Sequence, residues 1–474
     1  MKYIPGRICH KELLEIIKGF LKPKWGKLKL PPSGMKYISS RSKPAGSELQ
    51  FEFAYAPGKG MKDLKFGGFL KKVAFKTAIQ NLVLENLFLG TRSFSSFIGS
   101  SSHIYTKGYS KSTKYYYRLI IPLTRKMNFF FQIEDSIYET DLGYRSRAGL
   151  TAIICKEEVY ACVISDNNKE YYLSIESRIK QDFDSFSRKA NAVKNALGYL
   201  TGHLAGNNGY YFAYRHKAMK SPDYFYFTAF RNEILHSISP VNENPYAYVR
   251  NKRVAGKYYR KKLLRKVNQK EFSVLCQKLL DSTMFESCLV LMMESGSASL
   301  LFRPGGYAIA LEMLSDLITA KAKSKISPIK SKSLSKKIRE ECKQIITKYG
   351  HSIEPDDLKT LNIRIEQLNQ QTNKARLRVP FDLLGIKLLD ADIAILETRN
   401  DFLHGRHPDI TKAGPLRSER RINLDLFYAA TRFYTLLNML ILKWVGFDNY
   451  VVNFPVIQSG TTGIKLKEEP YRKV

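Results

Sequence analysis

The chain has 474 residues and 44% hydrophobic content, ordinary for a globular protein and enough for two or three domains with real cores. Its 77 Lys+Arg against 43 Asp+Glu give a formal charge of +34, which attracts polyanions, nucleic acid first among them. A lysine-rich surface with no ligand is the bland alternative, but here the excess falls in runs. Cys9, Cys155, Cys162, Cys276, Cys288 and Cys342 form no C-x-x-C pair and no short cluster with histidine, which argues against structural zinc and a redox motif. Met1 to Lys24 lacks the apolar core of a signal peptide, and Phe433 to Phe447 is too short and interrupted to span a bilayer, so the expectation is a cytoplasmic protein with no membrane partner.

In chain order, Lys11 to Phe20 reads as a short helix. Gln50 to Tyr55 and Tyr115 to Ile121 alternate as strands do, and Asn128 to Ile133 does so loosely. Thr151–Cys155, Val159–Ile164 and Glu170–Ile175 add three strands with turn residues such as Asp166-Asn167-Asn168 between them, which predicts an antiparallel sheet or sandwich. The stretch Thr106 to Tyr115 interleaves basic and aromatic residues. It reads either as a clamp for single-stranded nucleic acid or as a solvated hairpin whose tyrosines pack on the sheet. Ile179, Phe183, Phe186, Ala190, Val193, Leu197 and Leu200 keep helical spacing, predicting one helix from about Glu176 to Leu204, and Tyr210–Tyr214 and Tyr224–Phe230 return to strand. Residues 1–246 are thus expected to form a β-rich sensing or substrate domain, followed by a basic linker over 247–269 that includes Arg260, Lys261 and Lys262.

From Lys270 the pattern is helical. The expected helices are Lys270–Glu294, Leu300–Ala320 (interrupted early by Arg303-Pro304-Gly305-Gly306), one ending at Tyr349 after the basic loop Lys321–Lys337, Pro355–Asn373, Pro380–Leu389, a motif helix from Leu389, and Leu424–Trp444. Helices on short loops predict a bundle over 270–450, and the charged tail 451–474 is expected to fray after Pro470. The fold class expected is α+β: an antiparallel sheet or sandwich with a helix, then an all-α bundle.

The motif helix carries Glu397-Thr398-Arg399-Asn400-Asp401-Phe402-Leu403-His404-Gly405. At about 100° per residue, Asn400 and His404 share a face, and Arg399 lies beside it. Ile393, Leu396, Asn400 and Leu403 take core spacing, so Asn400 stands where an apolar residue is expected. Gly405 is a natural helix terminator, which places His404 in the last turn. A guanidinium, an amide and an imidazole with no obvious carboxylate partner suit a phosphodiester better than a metal or an acyl group. RNA cleavage needs the 2′-hydroxyl deprotonated, the phosphorane stabilised and the 5′-oxygen protonated; His404 can move protons, Arg399 can hold phosphate oxygens, and Asn400 can donate to phosphate or orient His404. The bland alternative makes Arg399 an ion-pair partner of Glu397 or Asp392 and His404 a helix cap.

Arg-Asn-x-x-x-His closing a helix before a glycine resembles the signature of HEPN-domain ribonucleases, and the layout of a basic β-rich region before a helical domain is similar to the ApeA-type HEPN proteins of bacterial anti-phage defence. The resemblance spans about residues 268–450. It implies a metal-independent endoribonuclease that needs no cofactor, with Arg399, Asn400 and His404 catalytic and a homodimer whose two motif helices share one cleft. It implies a toxin-like, abortive-infection role, with a phage-derived trigger acting on the N-terminal domain. The alternatives are a non-catalytic RNA- or protein-binding dimerisation module, or a partner of a nucleotidyltransferase. Arg406 and His407 are expected at the cleft mouth as RNA contacts, His407 being poorly placed for a metal. A second copy, Arg231-Asn232-Glu233-Ile234-Leu235-His236, follows a strand and lacks a glycine cap. It reads as coincidence, or as an intrachain partner for the first. Gly58-Lys59-Gly60 and Gly67-Gly68 lack the context of a phosphate-binding loop.

Overall fold

The computed structural model describes residues 26–29, 42–45, 48–54, 69–77, 81–93, 96–101, 103–123, 126–139, 145–165, 171–206, 208–219, 222–229, 235–320, 327–369, 373–410, 418–464 and 466–474. The expected helix Lys11–Phe20, the two glycine pairs near residue 60 and the Asp166 turn lie outside them. The chain is α+β: an antiparallel sheet region, then a helical region. It divides into two compact units, Met1–Glu286 and Ser287–Val474.

In the first unit the strands are β1 (Gly26–Lys29), β2 (Ser42–Ala45), β3 (Glu48–Ala54), β4 (Phe69–Thr77), β5 (Asn81–Ser93), β6 (Ser96–Ser101), β7 (His103–Thr106), β8 (Tyr116–Leu123), β9 (Ser136–Glu139), β10 (Arg145–Ile154), β11 (Glu157–Ser165), β12 (Tyr171–Ser177), β13 (His203–Leu204), β14 (Asn208–Tyr214), β15 (Tyr224–Ala229) and β16 (Leu235–His236). They form a large sheet in the order β2-β3-β6-β5-β7-β15-β14-β8-β12-β11-β10-β9, with β4 also on β5 and β1 on β4, while β13 pairs with β16 alone. Helix α1 (Phe183–Thr201) lies on one face: Phe186 stacks on Tyr117 at 5.1 Å and Phe183 meets Tyr211 edge-on at 4.9 Å. The opposite face of the sheet buries an ion pair, Arg118 Nε donating to Glu176 Oε1 at 2.7 Å across β8 and β12.

This pair and one cap correct the predicted start of α1. Glu176 belongs to the strand, and Asp182 begins the helix by accepting from the Ser185 N–H at 2.8 Å. Gly202, at φ +69°, ends it earlier than expected. Asn128–Ile133 is a turn rather than a strand, because the Asn128 side chain accepts from the Phe130 N–H at 3.1 Å and draws the backbone out of any ladder.

The expected basic linker contains a helix, α2 (Lys252–Arg260), capped by Asn251. Next come α3 (Gln269–Asp281), opened by a capping box of Asn268 and Glu271, and α4 (Thr283–Ser297). One helix was expected over Lys270–Glu294; Ser282, extended at φ −139° and ψ 106°, splits it. Helix α3 packs on β10 and α1, where Ser273 and Gln277 accept the Ile153 and Cys155 N–H groups at 2.9 and 2.7 Å. Those contacts blunt a strand edge and tie α3 to the first unit, so the division between units falls within α4 rather than at residue 270.

The second unit holds α5 (Arg303–Thr319), α6 (Lys332–Tyr349), α7 (Pro355–Glu366), α8 (Asn373–Leu383), α9 (Asp390–Glu397), α10 (Arg399–Leu403) and α11 (Glu419–Trp444). Helix α11 supplies Leu426, Ala429, Phe433, Leu437 and Leu440 to a core against α5, each large side chain contributing on the order of 1.5–3 kcal/mol. Helices α8 and α10 also pack on α5, whereas α6 and α7 pack mainly on each other.

The tail is docked rather than frayed. Strands β17 (Tyr450–Val452) and β18 (Tyr471–Lys473) pair, and Tyr471 and Val474 are buried. A buried charge network accounts for the difference. Arg432 of α11 donates to Asp392 Oδ1 at 3.2 Å and to both Glu468 oxygens at 2.8 and 2.6 Å, and Arg472 lies 2.7 Å from Asp392 Oδ2. Charges that read as a solvated tail are satisfied inside the fold. Among the described residues, no helix is long and apolar enough to cross a membrane.

Candidate active site at a split helix

The motif sits where two short helices follow one another. Helix α9 opens on Leu389, whose N–H donates to Asp392 Oδ2 at 2.8 Å, so Asp392 both caps the helix and belongs to the buried network. Thr398, at φ −83° and ψ −1°, interrupts the expected continuous helix, with its Oγ1 donating to the Ile395 carbonyl at 2.9 Å. The inward side is the same before and after it, since Asp392, Ile395, Arg399 and Phe402 follow one another at three- and four-residue helical steps. Asp392, Ile395, Leu396 and Phe402 are buried and Asn400 is exposed, so Asn400 does not take the core position that the spacing predicted.

The helix end is as the glycine predicts. Gly405 has φ +68°; its N–H reaches the Phe402 carbonyl at 3.3 Å and the Arg406 N–H reaches the Asp401 carbonyl at 2.8 Å. This paired arrangement satisfies the last carbonyls and leaves His404 on the turn, exposed.

Arg399 begins α10. Its guanidinium pairs with Glu312 of α5, and its Nη1 donates to Asn400 Oδ1. The absence of a carboxylate partner, expected from the sequence, is therefore corrected: the partner comes from 87 residues upstream. Neither suggested alternative holds Arg399, since Glu397 accepts from Arg378 at 2.8 Å and Asp392 is taken by Arg432 and Arg472. Burial draws the Arg399 pKa down, yet a guanidinium stays charged at any working pH. Glu312 had one signal in the sequence, a lone carboxylate in the apolar run Ala308 to Leu314, where burial demands a partner.

Arg399 and Asn400 thus open α10 and His404 caps its end, with the amide oriented by the guanidinium and the imidazole open to solvent. Such a set can hold an anion and move a proton beside it. No family model, curated protein or solved structure matches the chain.

Arg406 and His407 follow the site and are exposed; Arg406 lies 3.7 Å from Asp401. Arg260, Lys261 and Lys262 are exposed at the end of α2, in the other unit. Of the second motif copy, Arg231 and Asn232 lie outside the described residues. His236 lies in β16, not on a helix, with its Nδ1 3.2 Å from that of His203. In the basic–aromatic stretch, Tyr115 is buried and Tyr109 packs among Tyr105, Phe183 and Tyr226, which is the packed-hairpin alternative. Lys111 lies 4.8 Å over the Tyr226 ring. Among the described residues, no three His, Cys, Asp or Glu side chains gather as a metal site would require.

Proposed function

We propose that this protein is a metal-independent endoribonuclease cutting RNA by 2′-hydroxyl attack at its Arg-Asn-x-x-x-His site. The observation that carries the reading is that one short helix, α10, carries the paired Arg399 and Asn400 at its start and an exposed His404 as its cap, four residues on from Asn400. Arg399 holds the phosphate oxygens, Asn400 fixes them or the imidazole, and His404 moves the proton. One copy supplies one histidine where acid and base duties call for two, so the active unit is a homodimer pairing two such helix ends. By resemblance to HEPN defence ribonucleases, the enzyme acts in the cytoplasm as a toxin-like effector, with its β-rich unit receiving a phage-derived trigger.

Total RNA incubated with the purified protein in EDTA should acquire 2′,3′-cyclic phosphate ends, and His404→Ala should abolish them. Activity that disappears with the chelator would remove the mechanism.

One observation favours a second reading. Arg399 already has a carboxylate, Glu312, and a satisfied guanidinium is what a non-catalytic RNA- or protein-binding module would carry. Under that reading His404→Ala leaves RNA integrity and cellular toxicity unchanged.

A further inference from the structure

The end of α10 borders an apolar surface that the core does not use. Leu301, Phe302 and Ile309 are 49%, 71% and 43% exposed. Phe302 immediately precedes α5, and Gly305, Ile309 and Glu312 follow it at three- and four-residue steps, along one side of that helix. Two contacts fix where this side looks. Glu312 pairs with Arg399 at the start of α10, and a Cβ built on Gly305 would sit 3.5 Å from the Phe402 carbonyl near its end. Helix α10 therefore runs along α5 toward Phe302, and the exposed residues His404, Gly405 and Arg406 come next.

Three apolar side chains fall well short of the roughly 800 Å² per partner that a stable protein interface buries. The charges around them point elsewhere. Arg303, next to Phe302 in sequence, turns inward, its Nη2 donating to the Ala298 carbonyl at 3.0 Å and its Nε buried, so the cation left at the surface is Arg406. Arg406 is 73% exposed and only loosely held by Asp401 at 3.7 Å. An open aromatic ring near an exposed guanidinium is what an unpaired nucleotide takes, with its base on the ring and a phosphate on the cation.

We infer that Phe302 is a stacking platform for an unpaired base of the RNA held at the Arg399–His404 site, with a flanking phosphate on Arg406. The assignment rests on the ribonuclease reading and makes the substrate single-stranded at this position. Phe302 is a specificity-determining residue, not a catalytic one: it grips the nucleotide and leaves the proton transfers to the motif.

The test separates binding from cutting. Affinity for a short single-stranded RNA is measured by fluorescence anisotropy in the His404→Ala protein, with and without Phe302→Ala. Loss of the ring should weaken binding about tenfold, Phe302→Trp should restore it, and a duplex of the same sequence should bind equally to both proteins. Because stacking releases no counterions, the salt dependence should be the same with and without the ring. In otherwise wild-type protein, Phe302→Ala should raise KM with little change in kcat. Unchanged affinity and KM would overturn the assignment while leaving the ribonuclease reading standing. A dimer that Phe302→Ala turns to monomer in light scattering would also overturn it, making the patch a protein contact. Weakened binding in a protein that cuts no RNA would retire the catalytic reading and keep Phe302 as a base contact.

Discussion

Glu312 of α5 pairs with Arg399 at the start of α10, so the cation of the motif is met inside its own chain by a carboxylate that the motif does not contain. Both side chains are largely shielded, at 12% and 27% exposure for Arg399 and Glu312, so removing one partner costs more than breaking a surface bridge. The carboxylate positions the guanidinium, and it also opposes any phosphate that approaches.

Removing that opposition should show in RNA affinity. In the His404→Ala background, Glu312→Gln keeps a hydrogen-bonding side chain of the same size and removes one negative charge. Binding of single-stranded RNA should tighten by about tenfold, equivalent to ~1.4 kcal/mol. Weaker binding would assign Glu312 to placement of Arg399 alone.

The buried network should dominate the stability of the helical unit. Asp392→Asn leaves Arg432 and Arg472 facing a neutral amide at a site shielded from solvent. Breaking one partner of such a set costs about 3–5 kcal/mol, to be read from denaturant unfolding. A loss within 1 kcal/mol, about the value of an exposed pair, would mean that the network is solvated.

Acid should act through Glu468. Burial works against its ionised form, but hydrogen bonds from Arg432 and Asn453 outweigh it and hold the pKa below the ordinary 4.5. A depressed folded pKa gives stability that is complete above the ordinary value and lost as pH falls through the folded one. The Tm of the wild type should therefore drop from about pH 5 downward, and more steeply than that of Glu468→Gln. Parallel curves would exclude Glu468 as a source of acid sensitivity.

Gly405 should resist substitution although space surrounds it. A Cβ there meets nothing within 4 Å, so any penalty belongs to the left-handed backbone. Gly405→Ala should cost about 1–2 kcal/mol and loosen the turn that carries His404. Loss of RNA cleavage beyond the loss of folded protein would show that the turn positions the imidazole.

If two histidines serve one cleft, inactive subunits should poison active ones. Equal amounts of wild type and His404→Ala, exchanged to equilibrium, should retain roughly a quarter of the activity of the same total of wild type, since only unmixed pairs keep both histidines. Half the activity would mean that each subunit works alone.

The basic end of α2 offers an electrostatic check. If Arg260, Lys261 and Lys262 contact RNA, neutralising all three should reduce the slope of log affinity against log salt by about 0.7 for each phosphate lost. An unchanged slope would leave them as solvating charge.

Local chemistry was legible in the sequence. Alternation marked β3 and β8, because a strand's residues face opposite sides whatever lies across from them, and turn residues between short apolar runs marked β11 and β12. Glycine after His404 marked the helix end, because a left-handed residue is needed there in any surroundings. What local patterns could not carry was partnership. Core spacing fitted both the Asn400 side and the Arg399 side of this helix, and only packing against α5 and α11 decided that Arg399 turns inward and Asn400 outward. The charges of the tail read as solvated until Asp392 and Arg432, 36 or more residues away from Glu468, were seen to bury them. The carboxylate on Arg399 lies 87 residues upstream, and the edge that pulls α3 into the first unit belongs to β10. Each of these depends on which groups of opposite polarity meet after burial. That is fixed by the free energy of the whole fold, since a buried charge is tolerated only where a partner arrives.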